Sequence, residues 1–213
     1  MTDTIDRRIH DRLAAGMERL SLEPLPSRLQ RLTAYIDLLS RWNRAYNLTA
    51  VRNPLEMVSR HLLDSMAVAA FLSAEELIDV GSGAGLPGIP LAILRPADRI
   101  TLLDSNGKKT RFMRQAAMEL GLGNIEVVQS RIETYRPERK FATIISRAVA
   151  TAAEICSATQ HLRAQPCRLL LMKGRDPNKE LVPALPDAIG YSIHSLDIPF
   201  LDGERYLVEI RFK

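Results

Sequence analysis

Cysteine is nearly absent: the 213 residues include only Cys156 and Cys167, with ten residues between them. A disulfide framework and a paired CxxC zinc knuckle are both excluded. The four histidines, His10, His61, His161 and His194, are scattered and form no metal motif, so no metal ion is expected. The longest unbroken apolar stretch, Met66 to Leu72, falls far short of the ~20 residues that cross a bilayer. The opening MTDTIDRRIHDRL offers no signal-peptide core, and a cytoplasmic protein is expected. GKKT at 107–110 lacks the upstream glycine of a P-loop, because position 102 is leucine, and Val80 breaks the Gly-x-Ser-x-Gly elbow around Ser82. Aromatic residues make up only 5%, which limits base stacking on the protein itself.

At 46% hydrophobic and 25% charged residues, the composition is that of a globular protein. Lys and Arg exceed Asp and Glu by 29 − 25 = 4, and the sequence pI is about 9.3, a mild basicity that suits a polyanionic partner. Arginine predominates, 23 to 6 lysines, which favours bidentate phosphate contacts but equally reflects codon composition.

Residues 1–73 are expected to form an N-terminal helical extension packing on the core. Ile5, Ile9, Leu13, Met17 and Leu20 recur at helical spacing, as do Leu29, Leu32, Ile36, Leu39, Trp42 and Tyr46 after the Pro24-Leu25-Pro26 break. A third helix opens with Asn53 as cap and Pro54 at its first position, and runs on through SRHLLDSMAVAAFL. In the expected second unit, 74–213, short aliphatic runs alternate with helical stretches: 77–80, 100–104, 125–129, 141–146 and 168–172. That pattern predicts parallel strands with helical crossovers. Thr151 and Glu154 have capping-box spacing. Residues 191–198 and 205–212 flank Asp202-Gly203 and predict a terminal antiparallel hairpin.

The most informative segment is Asp79-Val80-Gly81-Ser82-Gly83-Ala84-Gly85-Leu86-Pro87-Gly88 on a strand-to-helix turn. Its glycines permit positive φ and a close ligand approach, and Asp104, ending the next strand, is placed to accept both hydroxyls of a ribose. A dinucleotide is disfavoured, because the residues after Leu77 leave no room for a second nucleotide-binding half and a substrate domain. The closing hairpin resembles that of class I S-adenosylmethionine-dependent methyltransferases, an α/β Rossmann-like fold with a mostly parallel seven-stranded sheet.

YNLTAV (46–51), RHLLDSM (60–66), IDVGSGAGLPGIPLAI (78–93), LLDSNGKKTRFM (102–113), SRIE (130–133), ISRAVA (145–150) and LLLMKG (169–174) together resemble the RsmG family, also called glucose-inhibited division protein B. The resemblance runs from about residue 28 to the end. It implies an enzyme that methylates N7 of a guanine, at position 527, in bacterial 16S ribosomal RNA, with S-adenosyl-L-methionine as methyl donor and S-adenosyl-L-homocysteine as product. It further implies a cofactor site drawing on Gly81, Leu86, the backbone at Ile132 and Glu133, and Arg147. Gly83, Gly85, Asp104 and Ser105 complete the expected set, and Asp79 either braces the loop or reaches the methionine amino group through water.

Lys108, Lys109, Arg111 and Arg114 form a cationic run after Asp104, either a solvated helix face or a contact to the RNA backbone. Arg131, Arg147, Lys173 and Arg205 are expected on the same edge, and RNA contact is assigned to Lys108, Arg131, Arg147, Lys173 and Arg205. Guanine N7 carries a lone pair and no proton, so transfer needs no general base, and no catalytic residue is named beyond positioning by Arg147 and Ser146. The Asp/Asn-Pro-Pro-Tyr group of many amino-directed methyltransferases is missing after the fourth strand. The expected partner is the small ribosomal subunit or its assembly intermediate, and the expected form a monomer. The competing readings are a non-catalytic, methyl-donor-sensing RNA-binding protein and a small-molecule methyltransferase.

Overall fold

A computed structural model describes residues 2–73, 76–147, 151–177 and 187–213, without the side chains of 2–4. The boundary expected after residue 73 therefore falls on positions outside the described residues, as does Ala148 after the fourth strand. The chain opens with α1 (Thr2–Arg19) and α2 (Pro26–Tyr46). Ile9, Leu13 and Met17 of α1 and Leu29, Leu32, Ile36 and Leu39 of α2 are buried, one stripe on each helix.

The third helix is not continuous. After α3 (Pro54–Met57), with Asn53 accepting from the Leu55 N–H at 3.0 Å, the chain widens into a π-helical stretch, Val58–Leu63. It then passes through one turn of α-helix, α4 (Asp64–Met66), into a 3₁₀ segment, Ala67–Phe71. A π turn holds an extra residue, so it resets which face the following side chains present.

Seven strands follow among the described residues: β1 (Leu77–Val80), β2 (Ile100–Asp104), β3 (Ile125–Gln129), β4 (Phe141–Arg147), β5 (Arg163–Lys173), β6 (Ala188–Ser195) and β7 (Tyr206–Phe212). Their order in the sheet is β3-β2-β1-β4-β5-β7-β6. The first five strands pair parallel and β7 lies antiparallel to both β5 and β6. The terminal hairpin is present, but its first strand pairs from Ala188 to Ser195, three residues earlier than the sequence pattern suggests. Crossovers are made by α5 (Gly88–Leu94), α6 (Gly107–Glu119) and α7 (Ala152–Thr159), the last opened by the Thr151–Glu154 capping box.

Successive strand residues point to opposite faces, and both faces are covered. Ile78, Leu103, Ile144, Leu169, Leu171 and Val208 pack with α7 residues in one cluster. Leu77, Leu102, Ile145, Leu170, Met172 and Leu207 join the other, which also takes in Leu13, Met17, Leu32, Ile36, Leu62 and Leu63. The N-terminal helices and one face of the sheet thus share a single apolar core.

Candidate active site

The strand order changes direction between β1 and β4, and open α/β sheets bind ligands at the carboxyl ends of strands beside such a point. A cavity of about 790 Å³ lies there. The glycine loop leaves β1 with Gly81, Gly83 and Gly85 at φ of 71°, 61° and 83°, values a side chain would strain. Beneath it, Asp79 is completely buried and accepts from the Gly88 N–H at 2.9 Å, while the Ser82 hydroxyl donates to the Asp79 carbonyl at 2.7 Å. A Cβ on Gly88 would collide with Leu102 Cδ2 and lie 2.9 Å from Asp79 Oδ2, so any side chain here would force the helix start or these buried side chains to shift. Burial pushes the Asp79 carboxyl up to about 7. Asp79 does not line the cavity; its bond to Gly88 braces the loop from below. From the other side, the buried Tyr35 hydroxyl of α2 donates to the Ala84 carbonyl at 2.6 Å. The N-terminal helices therefore grip the loop directly.

Asp104 ends β2 at the cavity floor. Its Oδ2 accepts from the Gly83 N–H at 2.9 Å and its Oδ1 from the Asn106 N–H at 2.8 Å. Asn106 also caps α6 by accepting from the Lys108 and Lys109 N–H groups. The helical phase then turns Lys109 to the cavity, its Nζ 3.8 Å from Asp104 Oδ2. Lys108 faces a separate depression with Tyr46, Arg111 and Arg114, so the start of α6 does not present it to the cavity edge.

Of the expected cofactor residues, Gly81, Gly83, Leu86 and Asp104 line the cavity, as do Ser105, Ile132, Glu133 and Arg147. Gly85 does not; its Cα faces Ile89. Arg131, Lys173 and Arg205 also line it, so three more cations converge there with Arg147. Ser146 corrects an expectation. It is 3% exposed and its hydroxyl donates to the Val80 carbonyl at 3.0 Å, so it ties β4 to β1 and positions nothing in the cavity.

The sequence patterns missed an entire wall. Buried Asn43 near the end of α2 donates to the Val51 carbonyl at 3.2 Å and accepts from the Thr49 N–H at 2.9 Å, folding 48–51 over the cavity. Thr49 Oγ1 pairs with His61 Nε2 at 2.8 Å. Burial, reinforced by the Arg147 charge, pushes His61 down to about 4, so the imidazole is neutral at physiological pH. Asp64 is buried against Arg147 and Arg205, 3.2 Å from each. Burial raises its carboxyl and the two guanidiniums oppose that rise. The signal was in RHLLDSM: a histidine and an aspartate three residues apart, flanking the buried Leu62 and Leu63, need polar partners. The site joins an acid-ended strand suited to a diol, loop N–H groups, apolar Leu86 and Ile132, and a cationic rim suited to phosphates.

A family model described as rRNA small subunit methyltransferase G matches residues 28–208. The chain is 49% identical over 202 residues to a protein of Pseudomonas aeruginosa (strain LESB58) named ribosomal RNA small subunit methyltransferase G, covering 94% of each. It is 48% identical over 208 residues to one of the same name from Pseudomonas paraeruginosa (strain DSM 24068 / PA7), covering 97% of each. Among solved structures, it is similar to a SAM-dependent methyltransferase from Aquifex aeolicus, with a TM-score of 0.57 at 14% identity, covering 78% of this chain and 97% of that one. M. jannaschii TYW2, solved in complex with AdoMet, gives 0.54 at 15% identity, covering 71% and 75%. At those identities the two structures speak to the fold, which is that of the class I methyltransferases.

Proposed function

The chain belongs to the rRNA small subunit methyltransferase G family, and from that premise we propose that its cavity binds S-adenosylmethionine against the glycine loop and directs the methyl group to N7 of one guanine, position 527, in 16S ribosomal RNA. The observation that carries this reading is Asp104, fixed at the floor of the cavity with each carboxylate oxygen held by a backbone N–H. Each oxygen keeps a lone pair for one ribose hydroxyl, so the acceptor is oriented before the cofactor arrives. Leu86 and Ile132 offer apolar surface to the adenine, and Arg147 offers a cation to the methionine carboxylate. A cavity of about 790 Å³ has room for the cofactor and an inserted base.

When bound, the cofactor supplies an electrophilic methyl carbon on a sulfonium. The protein's task is to bring N7 in line with it and to keep water out. No proton leaves N7, and the one histidine of the cavity is held as a buried neutral imidazole. Arg131, Lys173 and Arg205 at the rim, with Lys108 on the adjoining surface, would hold RNA phosphates, and their contribution should fade with salt. The target guanine is expected in a loop, where it can be exposed at low cost. A cytoplasmic monomer acting on the small subunit or its precursor is part of this reading.

The test combines purified protein, methyl-labelled donor and either deproteinised 16S RNA or assembled 30S subunits. Label should enter the RNA, and borohydride followed by aniline should break the product at one guanine, because the N7-methylated ring is labile after reduction. Label at N1 or N2 leaves that guanine intact and refutes the N7 assignment. Cofactor and RNA binding without transfer would instead support the sensing protein, and label in small molecules alone the third reading.

A further inference from the structure

Asp64 is used by nothing in the reaction as described, yet three parts of the fold converge on it. It follows the π-helical stretch. Its Oδ2 lies 3.2 Å from Nη1 of Arg147, at the end of β4, and its Oδ1 lies 3.2 Å from Nε of Arg205, just before β7. Arg147 Nη1 also donates to the Arg60 carbonyl at 3.3 Å, and Arg205 Nη1 to the Glu204 carbonyl at 2.7 Å. All three residues line the cavity, but the arginines are partly exposed, at 20% and 24%, whereas Asp64 lies behind them at 7%.

Stability alone does not account for this arrangement. A buried carboxylate between cations seldom out-stabilises apolar side chains of the same volume, because desolvation offsets most of the attraction. Apolar neighbours were available, since Leu62, Leu63 and Met66 around Asp64 are all fully buried. What the carboxylate provides instead is geometry. Two guanidiniums left alone at one cavity mouth would repel and turn outward, and one anion between them holds both with a net positive charge to spare.

We propose that Asp64 is a positioning residue for methyl transfer: it holds Arg147 toward the cofactor and Arg205 toward the RNA in one fixed fork, so that both substrates dock on guanidiniums whose orientations are already set. This rests on the methyltransferase reading above. Asp64 need not touch either substrate; it acts through the two arginines. The π turn has its use here, since it brings Asp64 round to the face that already carries Arg60 and His61 into the cavity.

The test uses the full chain, with S-adenosylhomocysteine and 16S RNA as probes and three variants: Asp64→Asn, Arg205→Lys and Arg205→Gln, alone and with Asp64→Asn. In Asp64→Asn, single-turnover methylation should fall by about ten- to a hundredfold, the scale of a small misplacement at a reacting centre. RNA affinity at low salt should hold or rise, because an anion has left the RNA-facing edge. A loss of folding alone would lower rate and RNA affinity together, and that result overturns the proposal, as does a wild-type rate. The rate losses of Asp64→Asn and Arg205→Gln should be less than multiplicative, because they break the same contact; full multiplication overturns it. Arg205→Lys, at a partly exposed site, keeps the charge and loses the fork. It should keep RNA affinity within about twofold while slowing transfer, and an unaltered rate overturns the fork. If wild-type protein transfers no methyl group to RNA, the methyltransferase reading fails. The fork is then judged on whether Asp64→Asn weakens S-adenosylhomocysteine several-fold with RNA affinity held or raised; unchanged S-adenosylhomocysteine binding, or weakened RNA binding, refutes it.

Discussion

Replacing Tyr35 by phenylalanine removes one oxygen atom and, with it, the tie between α2 and the glycine loop. The tyrosine is completely buried, donates to the Ala84 carbonyl at 2.6 Å, and packs 6.2 Å from the Phe112 ring. Phenylalanine keeps that packing, so the cost is the carbonyl left without a donor, about 1–3 kcal/mol for a buried unsatisfied group. In a protein of this size each kcal/mol moves Tm by roughly 2–4 °C, which predicts a fall of roughly 2–12 °C in thermal unfolding. Ala84 lies in the wall of the cavity, so a loosened loop must be reordered on binding. About tenfold in affinity is lost for every 1.4 kcal/mol moved into that step, and calorimetry with S-adenosylhomocysteine should show about three- to tenfold weaker binding. Phe112→Leu is the control: it thins the packing behind Tyr35 but leaves the hydrogen bond, and should lower Tm with affinity nearly intact. Wild-type Tm and affinity in Tyr35→Phe would refute the reasoning, as would equal loss of affinity in both variants.

Asp104→Ala should weaken S-adenosylhomocysteine by roughly 1–3 kcal/mol, the scale of a lost charge-assisted hydrogen-bond partner, with no binding of NAD or ATP gained; calorimetry reads both. Replacing Lys108 and Arg205 together should weaken RNA and reduce the slope of log affinity against log salt by about one to two, with cofactor affinity nearly intact. Asp79 is held at about 7 against an ordinary 3.8, so the folded state binds the proton that the unfolded state releases between those values. Its contribution to stability is therefore fully present below about pH 4 and falls as pH rises to about 7. His61, pushed down to about 4, has the opposite slope between there and its ordinary 6.5. Denaturant titrations should thus show Asp79→Asn gaining on wild type from pH 4 to 7, and a constant difference refutes the assignment. The single-turnover rate at saturating substrates should stay nearly flat from about pH 6 to 8.5, whereas a tenfold rise per pH unit would reveal a general base.

Local rules made much of this protein legible in advance. Helical spacing in residues 5–46, aliphatic runs at strand length, the Thr151–Glu154 capping box and Asp202-Gly203 between two strands each depend on neighbours a few residues away. The glycine loop with Asp104 could be read for the same reason, since strand, tight turn and strand-end acid are consecutive instructions to the backbone. What lay beyond the sequence was decided by packing between distant segments. Lys109 and not Lys108 faces the cavity because the Asn106 cap sets the phase of α6. Ser146 points into the sheet because β4 pairs with β1 in a register that puts it beside Val80. No periodicity signals the π-helical stretch, whose extra residue brings His61 and Asp64 into a site built by strands that begin further along the chain. A carboxylate beside Leu62, Leu63 and Met66 announces that it needs partners, and only the tertiary structure supplies them, because Arg147 and Arg205 arrive from 83 and 141 residues away.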